Sequence, residues 1–77
     1  MTQSKIIKRA AYIMSVPESI AKDHSKSIPD IKAVYFRKPE KGGIQVIIGE
    51  DGGVLLAPFI VKEEQMIKNY KAGERSA

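Results

Sequence analysis

Few side chains in this 77-residue sequence could do covalent or metal chemistry, since it has one histidine, His24, and no cysteine. A zinc site normally needs three or four ligands, and a catalytic nucleophile needs an adjacent base. His24 follows Val16 and Ile20 at helical spacing and precedes Ile28 by four residues, which favours a half-buried structural histidine. The sequence therefore predicts that the protein is not an enzyme and has no catalytic residue, metal site or cofactor.

The acidic, glycine-rich segment Glu50-Asp51-Gly52-Gly53 is a second candidate for chemistry. It lacks the Lys-Ser/Thr pair of a phosphate-binding loop, and it lacks the alternating acidic residues and distal Glu of a calcium loop. Its carboxylates would also repel a phosphate group. We interpret the segment as a solvated turn.

Basic residues are the remaining chemical signal, because 13 Lys plus Arg against nine Asp plus Glu give a net charge of +4. One group precedes the first acidic residue, and a second group lies near the middle of the chain. The first group is Lys5, Lys8 and Arg9, and the second group is Arg37, Lys38 and Lys41. If they meet at one sheet edge, they can neutralise phosphates, and Tyr12, Tyr35 or Phe36 can stack on a base. Nucleic-acid binding is therefore the alternative function.

The element that must position these residues is a β-hairpin over residues 44–61. Two apolar runs rich in β-branched residues, 44–48 and 54–61, flank the Asp51-Gly52 pair. Such a pair favours a type I′ turn, with positive φ at both central residues. Val46 and Ile48 point to one face of the sheet and Ile47 points to the other. Regular alternation of polar and apolar residues is therefore missing, and both faces need cover.

Two helices and a further strand are predicted around the hairpin. Ser15 and Glu18 have the spacing of a capping box, which favours a helix at about residues 16–27 that ends before Pro29. A strand over 31–37 then leads into the hairpin, and a C-terminal helix follows at about 62–72. Its apolar stripe is Met66, Ile67 and Tyr70, and Gly73 is its expected stop. The predicted fold class is α+β, with a three- or four-stranded antiparallel sheet that forms a meander around the 44–61 hairpin.

The N-terminal segment, residues 5–15, admits two interpretations. As a helix, it would place Ile6, Ala10, Ile13 and Met14 on one side. As a strand, it would be the fourth of the sheet, and short apolar runs do not separate the two by periodicity. The β-branched and aromatic residues favour a strand over 10–15.

The length predicts a single domain over residues 1–77, with frayed ends at about 1–4 and 74–77. A chain this short has a marginal core, and without cysteine it has no disulfide to support it. The lack of cysteine is typical of a reducing cytoplasm. No apolar run approaches the ~20 residues of a membrane helix, so we expect no membrane partner.

The predicted function follows from a comparison of the apolar surface of the sheet with the area that the helices can cover. Two short helices with narrow apolar stripes cover one sheet face, and a bare face with several large aliphatic residues favours self-association. We therefore expect a homo-oligomer, a dimer or larger, that acts as a small non-enzymatic protein-interaction and regulatory module, with a protein as a further partner. The predicted contact residues are Val34, Phe36, Ile47, Leu55 and Phe59.

Overall fold

The computed structural model describes residues 3–38 and 43–76. These form three helices and four strands, with a 3-10 turn at Pro29–Ile31: α1 Gln3–Met14, α2 Glu18–Asp23, β1 Ser25–Ile28, β2 Ala33–Arg37, β3 Ile44–Gly49, β4 Val54–Pro58 and α3 Glu63–Lys71. Each strand pairs antiparallel with the next one along the chain, in the order β1-β2-β3-β4. The predicted α+β class and antiparallel meander are confirmed.

The N-terminal segment is a helix, and the strand predicted over residues 10–15 is wrong. α1 buries Ile6, Ala10, Ala11 and Met14 against the sheet. The two adjacent alanines let the helix axis come close to the strands, and this packing outweighs the strand preference of single residues. The fourth strand is instead β1, which lies between α2 and the 3-10 turn.

The helix predicted at about residues 16–27 is shorter, and it does not begin with a capping box. Ser15 ends α1 rather than starting α2: it has φ 56°, its N–H donates to the Tyr12 carbonyl, and the Val16 N–H donates to the Ala11 carbonyl. This pair of bonds is a Schellman motif, with serine in the left-handed position that glycine usually takes. α2 begins after Pro17 and ends at Asp23, because the following residues pair with β2.

The hairpin is confirmed, but its turn is not of the predicted type. The Gly49 N–H donates to the Gly53 carbonyl, so three residues form the loop instead of two. Only Gly52 in this loop has a positive φ, 91°, while the Asp51 carboxylate accepts from the Gly53 N–H. A three-residue loop with glycine in the left-handed position matches the twist of the flanking strands as a type I′ turn does.

The sheet has a core on each side, as the apolar residues at consecutive positions of its strands predict. α1 and α2 cover one side, which includes Phe36, Val46 and Ile48. α3 covers the other side, which includes Tyr35, Ile47 and Leu55, and it contributes Met66 and Tyr70. The apolar stripe predicted for the C-terminal helix is therefore confirmed. Gly73, with φ 98°, follows the helix as the expected stop.

The expectation of an uncovered sheet face is wrong, because the N-terminal segment supplies a helix that the sequence interpretation did not count. Of the predicted contact residues, Val34, Phe36, Ile47 and Leu55 are buried inside the chain. A second copy could contact them only if a helix moved away. The described residues therefore enclose both faces of their own sheet.

Candidate interaction surfaces

The clearest exposed apolar surface lies where β4 ends. Four large apolar side chains are exposed in the described residues, and three of them, Leu56, Phe59 and Ile60, fall on β4 or directly after it. Ile60 is 74% exposed and Phe59 is 41% exposed. Pro58 ends the strand, and the Val61 N–H donates to the Pro58 carbonyl, which closes a β-turn with Phe59 and Ile60 at its centre. Leu56 pairs with Val46 and so points to the α1 side of the sheet, whereas Phe59 and Ile60 line one depression. We call Phe59 and Ile60 the apolar patch.

A buried glutamine holds this turn in place. Gln45 on β3 is 1% exposed, and its Nε2 donates to the carbonyls of Pro58 at 2.9 Å and Val61 at 2.5 Å. Its Oε1 accepts a hydrogen bond from the Tyr35 hydroxyl. Burial raises the pKa of Tyr35 above its ordinary value, so the phenol keeps its proton as the donor. The turn that carries Phe59 and Ile60 is therefore fixed to the core by a satisfied polar network.

Charged residues of both signs border the apolar patch. A shallow depression of about 520 Å³ is lined by Phe59 and Ile60 and by charged side chains that include Arg37, Lys62 and Glu64. Glu63, also in its lining, is held 2.8 Å from the Lys26 ammonium. This hydrogen bond raises the pKa of Lys26. The rim is therefore mixed in charge, which is not the single-signed rim of a phosphate site.

The comparisons with known proteins give no relative. No protein-family model matches the chain. No curated protein and no solved structure matches it significantly.

The structure places the described residues of the two basic groups on two elements, α1 and the end of β2. Gln3 and Ile6, which flank Lys5, line the same depression as Ala33 at the start of β2. Arg37 and Lys38 lie at or just beyond the other end of β2, about 13 Å away along a strand of this length. Lys41 lies outside the described residues. Whether the two groups form one patch stays a prediction.

The helical form of the N-terminal segment instead gathers its own basic residues. Lys5, Lys8, Arg9 and Tyr12 are all exposed, and their spacing places them on one side of α1. Tyr12 is 87% exposed, whereas Tyr35 and Phe36, the other aromatic residues considered for base stacking, are buried. We call these four residues the basic face of α1.

The remaining candidates for chemistry are not assembled into a site. His24 is exposed at the end of α2, and its Nδ1 lies 3.0 Å from the Ile20 carbonyl oxygen, so the expected half-buried position is wrong. Asp51 caps its own turn. Among residues 3–38 and 43–76, no group of three His, Asp or Glu side chains could hold a metal ion.

Within the same residues, no helix has the length and apolar character needed to cross a membrane.

The segment after α3 lies against the hairpin, where a frayed end was expected. The Ser76 N–H donates to the Val54 carbonyl at 2.6 Å, and the Ser76 hydroxyl accepts from the Leu56 N–H at 2.9 Å. Arg75 stacks on the Tyr70 ring, 3.5 Å from its centroid. At the other end, Gln3 and Ser4 belong to α1, and Met1, Thr2 and Ala77 lie outside the described residues.

Sequence reasoning found Phe59 but missed Leu56, Ile60 and Gln45. The apolar run 54–61 predicts a strand up to Val61, but a proline inside such a run usually marks the end of the strand or a sheet edge. Pro58 was therefore the signal that Phe59 and Ile60 leave the strand. No sequence signal identifies Gln45, because a glutamine between apolar residues on a strand is ordinarily interpreted as a solvent-facing residue.

Proposed function

We propose that the protein is a small non-enzymatic interaction module that self-associates through the apolar patch at the end of β4. The observation that carries this proposal is the turn held by Gln45, which presents Phe59 and Ile60 to solvent from a fixed backbone. Large apolar side chains on a rigid support lose little conformational freedom on binding. A cytoplasmic location, suggested by the lack of cysteine, is part of the same proposal.

The mixed charge around the patch supports a second copy as the partner. In a two-fold contact the same surface meets itself, so each charge needs an opposite charge within that surface. Lys62 and Glu64 are both exposed, on either side of Glu63, and both border the depression with Ile60. In such a contact Lys62 of one copy can approach Glu64 of the other.

The size of the patch sets the expected strength. Stable complexes bury about 800 Å² on each partner, and single apolar patches of 300–600 Å² are common on monomers. The two side chains of the apolar patch supply no more than the lower end of that range. The association should therefore be weak and reversible, with a dissociation constant on the order of 0.1–1 mM.

Sedimentation equilibrium over a wide concentration range tests this proposal. The unmodified chain should change from monomer to dimer as concentration rises, and the double variant Phe59→Asp with Ile60→Asp should stay monomeric. Tyr12→Asp, which changes a more exposed aromatic residue on α1, is the control and should associate as the unmodified chain does. A single monomeric species for the unmodified chain at about 1 mM would exclude self-association.

The basic face of α1 favours nucleic-acid binding as a second candidate function. Lys5 and Tyr12 are seven residues apart, about 10 Å along the helix, so three cations and one exposed ring span roughly two phosphates of a single strand. Binding of a single-stranded oligonucleotide should weaken steeply with salt and be lost in Lys8→Glu with Arg9→Glu. Arg37→Glu with Lys38→Glu is the comparison variant for the other basic group. An affinity that does not respond to Lys8 and Arg9 would exclude this face.

A further inference from the structure

The segment after α3 occupies a cleft that is built for an arginine followed by a hydroxyl residue. The Arg75 guanidinium lies over the Tyr70 ring and donates from Nη1 to the Tyr70 carbonyl at 2.9 Å. The side chain also lies against Gly53, where an added Cβ would come within 2.7 Å of Nε. An aromatic face, a carbonyl acceptor and a missing side chain together form a cradle for a planar cation.

Acidic side chains complete this cradle. Asp51 and Glu50 line the same depression as Tyr70 and Arg75, together with Lys32, and it has a volume of about 380 Å³. The negative charge of Asp51 also acts on the Tyr70 phenol, whose pKa is raised mainly by burial. The cradle therefore combines an aromatic face with two carboxylates and one ammonium group, and this combination favours a cation that can stack on the ring.

The next residue is bound through its backbone and its hydroxyl group. The edge of β4 offers the Val54 carbonyl and the Leu56 N–H, and Ser76 satisfies both groups. This is how an added strand is recognised: the backbone supplies affinity, and pockets for side chains supply specificity. Pro58 has no N–H, so the usable edge is short and accepts only a short extended segment.

We propose that this cleft between the β3–β4 hairpin and α3 binds an extended peptide with Arg followed by Ser or Thr, and that residues 74–76 occupy it as an internal competitor. A peptide from another protein displaces this segment by making the same contacts. The proposal is independent of the apolar patch, because neither Phe59 nor Ile60 contributes to these contacts.

The full chain with Arg75→Ala and Ser76→Pro opens the cleft, since the first change removes the stacked cation and the second removes the N–H and the hydroxyl. The probe is the pentapeptide Gly-Glu-Arg-Ser-Ala, the sequence of residues 73–77. NMR titration should show saturable shifts of the Leu56 amide and the Tyr70 ring. Replacing the peptide arginine or serine with alanine should weaken binding by about fivefold to tenfold.

Competition by the internal segment is tested with the unmodified chain. A segment tethered a few residues away acts at an effective concentration of the order of millimolar or more. The unmodified chain should therefore bind the pentapeptide at least about fivefold more weakly than the opened chain. Excess peptide should also release the Ser76 amide to rapid hydrogen exchange, a measurement that does not depend on how the variant folds.

Gly53→Ala in the opened chain is the matched control for the cradle. The added methyl group fills the space of the arginine side chain, so binding should lose its dependence on the peptide arginine. Shifts that are the same for the arginine and alanine peptides in the Gly53-containing chain would overturn the proposal. Equal affinity of the opened and unmodified chains would overturn the role of residues 74–76 as a competitor.

Discussion

The two sides of the sheet differ in what they bury. The side under α1 and α2 is apolar throughout, with Phe36, Val46 and Ile48 at its centre. The side under α3 also buries polar atoms: Tyr35 and Gln45 bond to each other, and Gln45 bonds to the turn after β4. Apolar contacts are non-directional, whereas hydrogen bonds fix the positions of particular groups.

This difference assigns separate tasks to the two sides. The α1 side supplies stability, because it removes large aliphatic and aromatic side chains from water. The α3 side positions two surface segments: Gln45 fixes the turn with Phe59 and Ile60, and Tyr70 supports Arg75. We call the α3 side the polar side and the α1 side the apolar side. Both proposed protein contacts therefore lie at the rim of the polar side, while the basic face of α1 is the outer surface of the apolar side.

The largest expected effect tests the apolar side. Phe36→Ala removes a ring that is 0% exposed, and it should lower the free energy of unfolding by about 3–5 kcal/mol. That is a large share of the roughly 5–15 kcal/mol available to a small domain. Urea denaturation followed by circular dichroism measures it. Phe59→Ala, the same change at an exposed position, should cost less than about 1 kcal/mol; equal costs would contradict the assignment of the core.

Gln45→Ala tests the polar side. It removes the hydrogen bonds that Gln45 makes to the Tyr35 hydroxyl and to the carbonyls of Pro58 and Val61, so it should cost about 2–4 kcal/mol. The Val61 amide should also exchange faster, because the turn loses its anchor to β3. Gln65→Ala is the matched control on α3, where Gln65 makes one exposed bond to Asn69, and it should change stability by less than about 0.5 kcal/mol.

A smaller, stabilising effect is expected where α1 ends. Ser15 is held at φ 56°, whereas α3 reaches the same kind of helix end with Gly73 at φ 98°. Ser15→Gly should remove the strain and raise the free energy of unfolding by up to about 1 kcal/mol. Ser19→Gly inside α2 should lower it by about 0.5–1 kcal/mol, because glycine weakens a helix interior. A loss of stability in Ser15→Gly would show that the serine side chain is needed there.

The smallest effect is a pH dependence that belongs to the α3 side. Burial raises the pKa of Tyr35 and Tyr70 above the ordinary value of 10.0. The folded state then holds these protons more tightly than the unfolded state does, so their stabilisation is complete below pH 10.0 and is lost as the pH rises through the folded values.

Tyr70→Phe should make the free energy of unfolding fall less steeply at alkaline pH, as measured by urea denaturation at several pH values. Tyr12→Phe is the control, since that ring lies outside both clusters, and its curve should match that of the unmodified chain. Lys26, whose pKa is raised by Glu63, contributes in the same direction and is retained in every variant. An unchanged slope in Tyr70→Phe would mean that its phenol titrates alike in both states.

The sequence predicted the elements in which apolar residues recur at a regular spacing. Alternation assigned Val46 and Ile48 to one side of the sheet and Ile47 to the other, and helical spacing assigned Met66 and Tyr70 to the inner side of α3. Each of these patterns spans several residues of one element. They depend on local geometry, namely two residues per repeat in a strand and 3.6 per turn in a helix.

The sequence did not predict elements that exist because of distant partners. β1 contains Ser25-Lys26-Ser27, which has no apolar alternation, and it is a strand because β2 supplies its hydrogen bonds. The sequence left the N-terminal segment undecided between helix and strand, because short apolar runs fit both interpretations. Its burial against the sheet decided the matter, and with it the question of whether a face is left bare.

The candidate surfaces divide in the same way. The sequence by itself determined the side-chain alternation of the strands, the apolar stripe of the last helix and the presence of basic residues near the N-terminus. Only the tertiary structure decided that Phe59 and Ile60 are exposed, that Gln45 is buried beneath them and that Arg75 lies on Tyr70. The reason is physical: periodicity records which side of an element is apolar, but exposure depends on which other element arrives to cover it.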